Sequence, residues 1–376
     1  MSERIAIVGA SVRAAAASAV RAGFEVAAAD LFADEDLCRI AAATQVNNYP
    51  AGLADWLQSL SPQPTAWTYT GALENHPDLV DQMAAIAPLW GNGGDVLRTV
   101  RSPWRVADVL RQAGLLFPEM RNSPAGLPRD GTWLAKTGRG ASGKGVAVLD
   151  DFGDRPECFL QQRLPGIPCS AVYVASGGKS KLLGILRQLI GEPWLHAQEF
   201  QYCGAIGPWP VSAQALSDIR RIGGVLADHF GVRGLFGVDF ILDDDRIWTL
   251  EVNPRYPASV EIVERAMGIN AIAAHAAACC ESTLANDFYP IDSTVFGKAI
   301  LFSLQSITIH EDVRLPSQVA RGGGSWPTLA DLPRVGTHIE AARPVLTLFV
   351  EGATADEVIA NLKVRVANVE QQLYLD

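Results

Sequence analysis

Cysteine is scarce in this chain, six in 376 residues, at 38, 158, 169, 203, 279 and 280. None stands in a CxxC pair, so neither a zinc site nor a disulfide framework is indicated, and a reducing compartment is expected. Positive charge is also in deficit, with a formal net charge of −10. A nucleic-acid partner needs a basic surface to neutralise phosphates, which excludes that class. No uninterrupted apolar run reaches the ~20 residues of a membrane span. The opening RIAIVGA reads directly as a strand, with no charged leader and cleavage site before it. The expectation is a cytoplasmic protein with small-molecule partners and neither membrane nor nucleic acid; a homodimer is the assembly considered. The six histidines, at 76, 196, 229, 275, 310 and 338, are scattered, and no His-paired nucleophile is apparent. His275 reads as a core residue, and Cys279 and Cys280 as small helix-packing residues.

The pattern that is present is α/β. Arg4–Val8, an Ala-rich helix from Arg13 and a second strand ending at Asp30 give β-turn-α-β, the start of a doubly wound sheet over residues 1–98. Its turn, VGASVRAA, has one fingerprint glycine, Gly9, so Asp30 does not make it an NAD site. A second domain, 99–290, opens with a helix over 102–113 that has Pro103 at its start and Gly114 at its end. Strands are expected near 132–136, 146–149, 158–162, 171–175, 181–187, 235–242 and 246–252, with a long helix over 213–230. The remainder, 291–376, reads as a strand-rich segment closed by a helix over 355–374.

Residues Lys136 to Gly145, KTGRGASGKG, fit GxGxxG and GxxxxGK together, and a DFG triplet follows at Asp151. A Walker lysine requires Ser or Thr next and then a helix, whereas Lys144 precedes Gly145 and the strand VAVL. A dinucleotide turn must open a helix, and here the loop joins two strands. A kinase DFG lies far beyond an HRD that this chain lacks, so the triplet reads as a chance turn. What remains is a hairpin whose tip, with Gly140, Ser142 and Gly143, folds over phosphates while Lys136 and Lys144 supply charge.

Residues 235–254, LFGVDFILDDDRIWTLEVNP, read as two strands around an acidic turn. With Asp243, Asp244 and Asp245 as the turn, Asp239 faces Thr249, so Asp239, Glu251 and Asn253 share a face as diagonal neighbours. Two carboxylates and an amide are hard-oxygen ligands suited to Mg²⁺, with Mn²⁺ as a substitute. Arg255 follows directly, its planar fork suited to phosphoryl or carboxylate oxygens. Arg187, on a strand taken to face the site, is the second cationic candidate. Ser11, Arg13, Glu74 and Asn75 are candidates to line an acceptor pocket.

The order of a lysine-led glycine hairpin, QQRLPG, GVDF and LEVNPR resembles the ATP-grasp superfamily of carboxylate–amine ligases. The resemblance implies an α/β fold with an N-terminal Rossmann-like (pre-ATP-grasp) domain, a central two-subdomain ATP-grasp unit and a C-terminal strand-rich segment. It also implies ATP and Mg²⁺ as cofactors, Lys136 on the nucleotide phosphates, Gln161, Gln162 and Leu164 framing adenine, and Asp239, Glu251 and Asn253 on the metal. Three features depart from the family pattern. Gln162 and Pro168 stand where relatives carry acids for the ribose, and an upstream lysine is missing, leaving Arg101 or Arg105. The segments ILRQLIGEPW and FQYCGAIGP resemble a subgroup linked to methanopterin and methanofuran one-carbon cofactor pathways, which includes tyramine–glutamate ligase. The implied chemistry is amide formation through an acyl phosphate. Its rivals are a phosphotransferase acting on a hydroxyl and a non-catalytic nucleotide-binding regulator.

Overall fold

The computed structural model describes residues 3–138, 140, 142–149, 158–281, 283–284, 290–310 and 326–374. The DFG triplet and most of the Gly/Pro-rich stretch after Leu315 lie outside these residues.

Strands Ala42–Gln45, Glu25–Asp30, Arg4–Val8 and Ala66–Tyr69 form, in that order, a parallel four-stranded sheet. Burial on both faces explains its composition: Ile5, Ala6, Ile7 and Val8 are all fully buried. Its carboxyl-end loops face the second domain.

That domain opens with helix Pro103–Gln112, whose Ser102 side chain accepts from the Arg105 amide and whose N1 residue is Pro103. A small antiparallel sheet follows, ordered Met120–Arg121, Cys158–Gln162, Trp133–Thr137 and Val146–Val148. The last two strands carry the glycine-rich hairpin. In this register Lys136 stands opposite both Val146 and Phe159, and Gln161 lies two residues along the same face.

The main sheet has eight strands, ordered Arg246–Asn253, Gly234–Asp243, Ile167–Ser176, Lys179–Ile190, Tyr202–Gly207, Val295–Phe302, Pro344–Gly352 and Leu329–Ala330. Helix Ala213–Phe230 covers one face, capped by Ser212 and ended by Gly231 at φ +66°. The expected boundary at 290/291 falls inside this sheet, because Val295–Phe302 pairs with Tyr202–Gly207. Strand Tyr202–Gly207 was not anticipated: its small residues, Cys, Gly and Ala, carry no alternating pattern.

Candidate active site

The acidic hairpin corrects the expected register. Asp243 pairs with Arg246, so the turn is the two residues Asp244 and Asp245, with Asp244 at φ +52°. Continued regularly, that register would set Asp239 against Leu250 and turn Glu251 to the other face. A bulge between Asp239 and Phe240 absorbs one residue, so Phe240 faces Thr249 while Asp239 faces Glu251 directly. The two acids therefore share a face as opposed partners, and Leu250 and Glu251 both line the same cleft.

Asp239 accepts from Asn253 Nδ2 at 2.9 Å and from Gln188 Nε2 at 2.8 Å. Burial, followed by the adjacent Glu251, pushes the Asp239 carboxyl up to about 8. Glu251 is exposed to the cleft and also ringed by cations. Burial would raise it, but Arg101 and then Lys136 outweigh burial and hold it below the ordinary range. Among the described residues no three His, Cys, Asp or Glu side chains cluster as a metal site. The donor set is two facing carboxylates, hard oxygens that fit a divalent cation carrying further oxygen ligands from phosphate. Asn253 is placed differently from expectation. Its Nδ2 faces the acids and its Oδ1 accepts from Arg255 Nη2 at 3.1 Å, so it orients the carboxylates and would ligate only with its amide rotated.

A narrow cleft of about 70 Å³ runs from Glu251 to the small sheet. Lys136, Gly140, Ser142, Gly143, Lys144 and Glu251 line it, with Val100, Val106, Phe117, Val146, Phe159 and Leu250 as apolar walls. The mixed lining, charged at one end and apolar along the walls, suits an organic ligand with one charged end. Lys136 Nζ donates to Gln161 Oε1 at 2.8 Å, and burial lowers its pKa against the opposing pull of Glu251 and Asp239. Gln161 Nε2 is buried without an acceptor, a donor free for a ligand. Gln162 and Leu164 do not line this cleft.

Of the two upstream arginines, Arg101 is the one in the cleft, its Nη2 donating to Asn75 Oδ1 at 3.1 Å and to the Gly140 carbonyl at 3.4 Å. Arg105 is exposed and lines a separate outer groove beside Asp95 and His229. Arg255 is half-buried against the buried Glu74, its Nε 3.0 Å from Glu74 Oε1. Burial works against its charge, but Glu74 and the acids outweigh burial and raise its pKa.

Two expected arginines also lie elsewhere. Arg187 pairs with Cys169, which pairs with Phe240, so it occupies the sheet face opposite Asp239, its guanidinium 5.5 Å from the Trp209 ring centroid. Gln188, its neighbour, is the residue that reaches the site. Arg13 is 3% exposed and bound by Glu261, Asp331 and Asp36, which leaves it no role in an acceptor pocket.

Residues 100–259 match the family model of the ATP-grasp domain. The large chain of carbamoyl phosphate synthase from Neisseria meningitidis serogroup A is 30% identical over 165 residues, 41% of this chain and 15% of that one. Formate-dependent phosphoribosylglycinamide formyltransferase from Xanthomonas axonopodis pv. citri is 37% identical over 73 residues, 16% of this chain and 18% of that one. The chain thus spans less than a fifth of the length of these relatives. Solved structures are similar over nearly the whole chain. The ADP complex of N5-carboxyaminoimidazole ribonucleotide synthetase has a TM-score of 0.70 at 18% identity, over 99% of this chain and 97% of that one. L-amino acid ligase from Bacillus licheniformis has a TM-score of 0.71 at 16% identity, over 97% of each. The biotin carboxylase domain dimer of Hydrogenobacter thermophilus 2-oxoglutarate carboxylase, complexed with MgADP, ADP and bicarbonate, has a TM-score of 0.72 at 12% identity, over 95% of this chain and 88% of that one.

Proposed function

We propose that this chain, whose residues 100–259 match the ATP-grasp domain model, is an ATP-dependent ligase that joins a carboxylate to an amine and releases ADP and phosphate. The observation that carries the reading is the gathering of Lys136, Glu251 and Arg101 around one cleft under the glycine-rich hairpin, with Asp239 opposite Glu251 and Arg255 bonded to Asn253 beside the acids.

In this reading Gly140, Ser142, Gly143 and Lys144 cover the phosphates and Lys136 holds them from the sheet side. Asp239 and Glu251 would hold Mg²⁺, or Mn²⁺ in its place, and the cation supplies charge neutralisation for phosphoryl transfer. A substrate carboxylate oxygen attacks the γ-phosphorus, ADP leaves, and an acyl phosphate forms. The amine nitrogen then attacks the acyl carbon, phosphate leaves with the C–O electron pair, and the nitrogen loses a proton. Arg255, one bond from Asn253, is placed to neutralise oxygen charge in both steps. Gln161 adds its unpartnered Nε2 to nucleotide binding, and Arg101 takes the position of the missing upstream lysine.

The finer reading, an amino acid or cofactor precursor as substrate in a one-carbon cofactor pathway, rests on ILRQLIGEPW and FQYCGAIGP, which run along two paired strands, Lys179–Ile190 and Tyr202–Gly207. A homodimer is proposed on the likeness to the biotin carboxylase domain dimer.

The test is incubation with Mg-ATP, the twenty amino acids, ethylamine and putrescine, reading ADP and amide masses. ADP release that requires both an acid and an amine is expected; release with an alcohol alone would favour a phosphotransferase, and none a binder. Glu251→Gln removes one anionic ligand and should lower turnover at least about a hundredfold. An undiminished rate would remove the acidic hairpin from the mechanism.

A further inference from the structure

On the far side of Arg255 from the acids, the carboxyl-end loops of the parallel sheet converge, the place where open α/β sheets bind ligands. Glu74 follows strand Ala66–Tyr69 and Tyr49 follows strand Ala42–Gln45. The Glu74 carboxylate is 3% exposed. Its Oε1 accepts from Arg255 Nε, while its Oε2 is buried with no partner. Arg255 does not cover that second oxygen, because its Nη2 is turned to Asn253 and its Nη1 to the Tyr256 carbonyl. The Tyr49 hydroxyl is also buried without a partner. Burial first, and then the charge of Glu74, pushes the Tyr49 phenol up.

A carboxylate oxygen sealed from water with no donor is costly. Such a group persists where a ligand supplies the donor. The loop carrying Glu74 is strained at the same place, with Ala72 at φ +79°, a left-handed conformation that alanine rarely takes. Ala72 also lines a cavity of about 410 Å³ between this loop and the hairpin, shared with Asn75, His76, Gly140 and Lys144. Glu74 itself does not line that cavity, so a ligand that enters there reaches the acid by displacing the loop.

Any N–H or O–H would satisfy this oxygen, and an ammonium, with three hydrogens and a charge opposite to that of Glu74, suits it best, whereas a carboxylate would meet that charge. We propose that Glu74 Oε2, with the Tyr49 hydroxyl, binds the ammonium group of the amine substrate, which enters as a cationic primary amine and gives one proton to the Glu74 carboxylate, freeing the lone pair with which the nitrogen attacks. This assignment rests on the ligase reading above.

The two readings separate with hydroxylamine, a nucleophile uncharged at neutral pH that converts an acyl phosphate to a hydroxamate. The full-length chain is assayed with Mg-ATP and the twenty amino acids, with either hydroxylamine or the cationic amines as acceptor. In Glu74→Gln, the ratio of kcat/KM for the cationic amine to that for hydroxylamine should fall at least about tenfold. Gln keeps an acceptor for Arg255 Nε, so a role confined to holding Arg255 lowers both values together and leaves the ratio unchanged, which overturns the proposal. Tyr49→Phe, expected to lower the ratio severalfold, decides the matter if Glu74→Gln does not fold. A wild type that makes hydroxamates but no amide from a cationic amine also overturns it. A wild type that makes neither overturns the ligase reading, and the amine site with it.

Discussion

Asp239 takes hydrogen bonds from two sides, Gln188 Nε2 and Asn253 Nδ2, and this pair fixes the carboxylate opposite Glu251. Bonds to a carboxylate of this kind are worth about 1.5–3 kcal/mol each. Gln188→Leu should therefore lower kcat/KM for ATP roughly 10- to 100-fold, and Arg187→Ala, on the other sheet face, less than about twofold. Steady-state kinetics on the two variants checks both, and equal losses would return Arg187 to the site. The residue types of the site were legible because acids inside apolar strands need partners. The choice between Arg187 and Gln188 was not, since adjacent strand residues face opposite sides and the run ILRQLI does not say which side is which. Glu74 was legible as a candidate to line an acceptor pocket, but not its unpaired oxygen, which depends on how Arg255 divides its donors.

The acidic hairpin and the glycine hairpin were both legible as elements, with bounds within a residue or two of those found. What the sequence could not convey was the bulge. Two errors cancelled there, because a three-residue turn without a bulge and a two-residue turn with one both place Asp239 and Glu251 on a common face. The glycine hairpin is constrained by close approach as well as by covering phosphate. Gly143 sits at φ +81°, and a Cβ there would lie 1.9 Å from the Phe200 carbonyl oxygen. Gly143→Ala should push the hairpin tip off the Gln198–Gln201 segment that it packs against. The expected result is a KM for ATP raised about tenfold, with Tm moved by no more than about 2 °C because the loss is local. An unchanged KM with a lowered Tm would make the hairpin a structural element.

At the scale of the molecule, the three-part division read from the sequence is tied together by buried charge. Arg13 of the first sheet's helix meets Glu261 of helix Val260–Met267 at 2.5 Å and Asp331 of the C-terminal segment at 3.0 Å, and Lys298 closes on Glu261 at 2.7 Å. Arg13 read as a candidate for an acceptor pocket because its three acids lie 23 to 318 positions away, beyond any local pattern. His275 makes a second junction, 2% exposed, between helix Ala271–Cys280 and both sheets. Its Nδ1 accepts from the Leu235 amide at 2.8 Å, so the proton sits on Nε2, which reaches the Trp90 carbonyl and Thr68 Oγ1, each at 3.1 Å. Charging the ring would set a second N–H against the Leu235 N–H. Burial accordingly lowers its pKa from 6.5 to about 4, with the Trp90 carbonyl opposing. The sign follows from proton binding: below pH 6.5 the unfolded chain takes up a proton that the native ring refuses until about pH 4. Native stability therefore falls as pH drops through that window, by up to about 3 kcal/mol. Asn at 275 keeps an uncharged acceptor for the Leu235 amide. The stability advantage of wild type over His275→Asn in urea unfolding should shrink by that amount from pH 6.5 to 4, whereas a pH-independent difference would mean that the junction accommodates the charged ring.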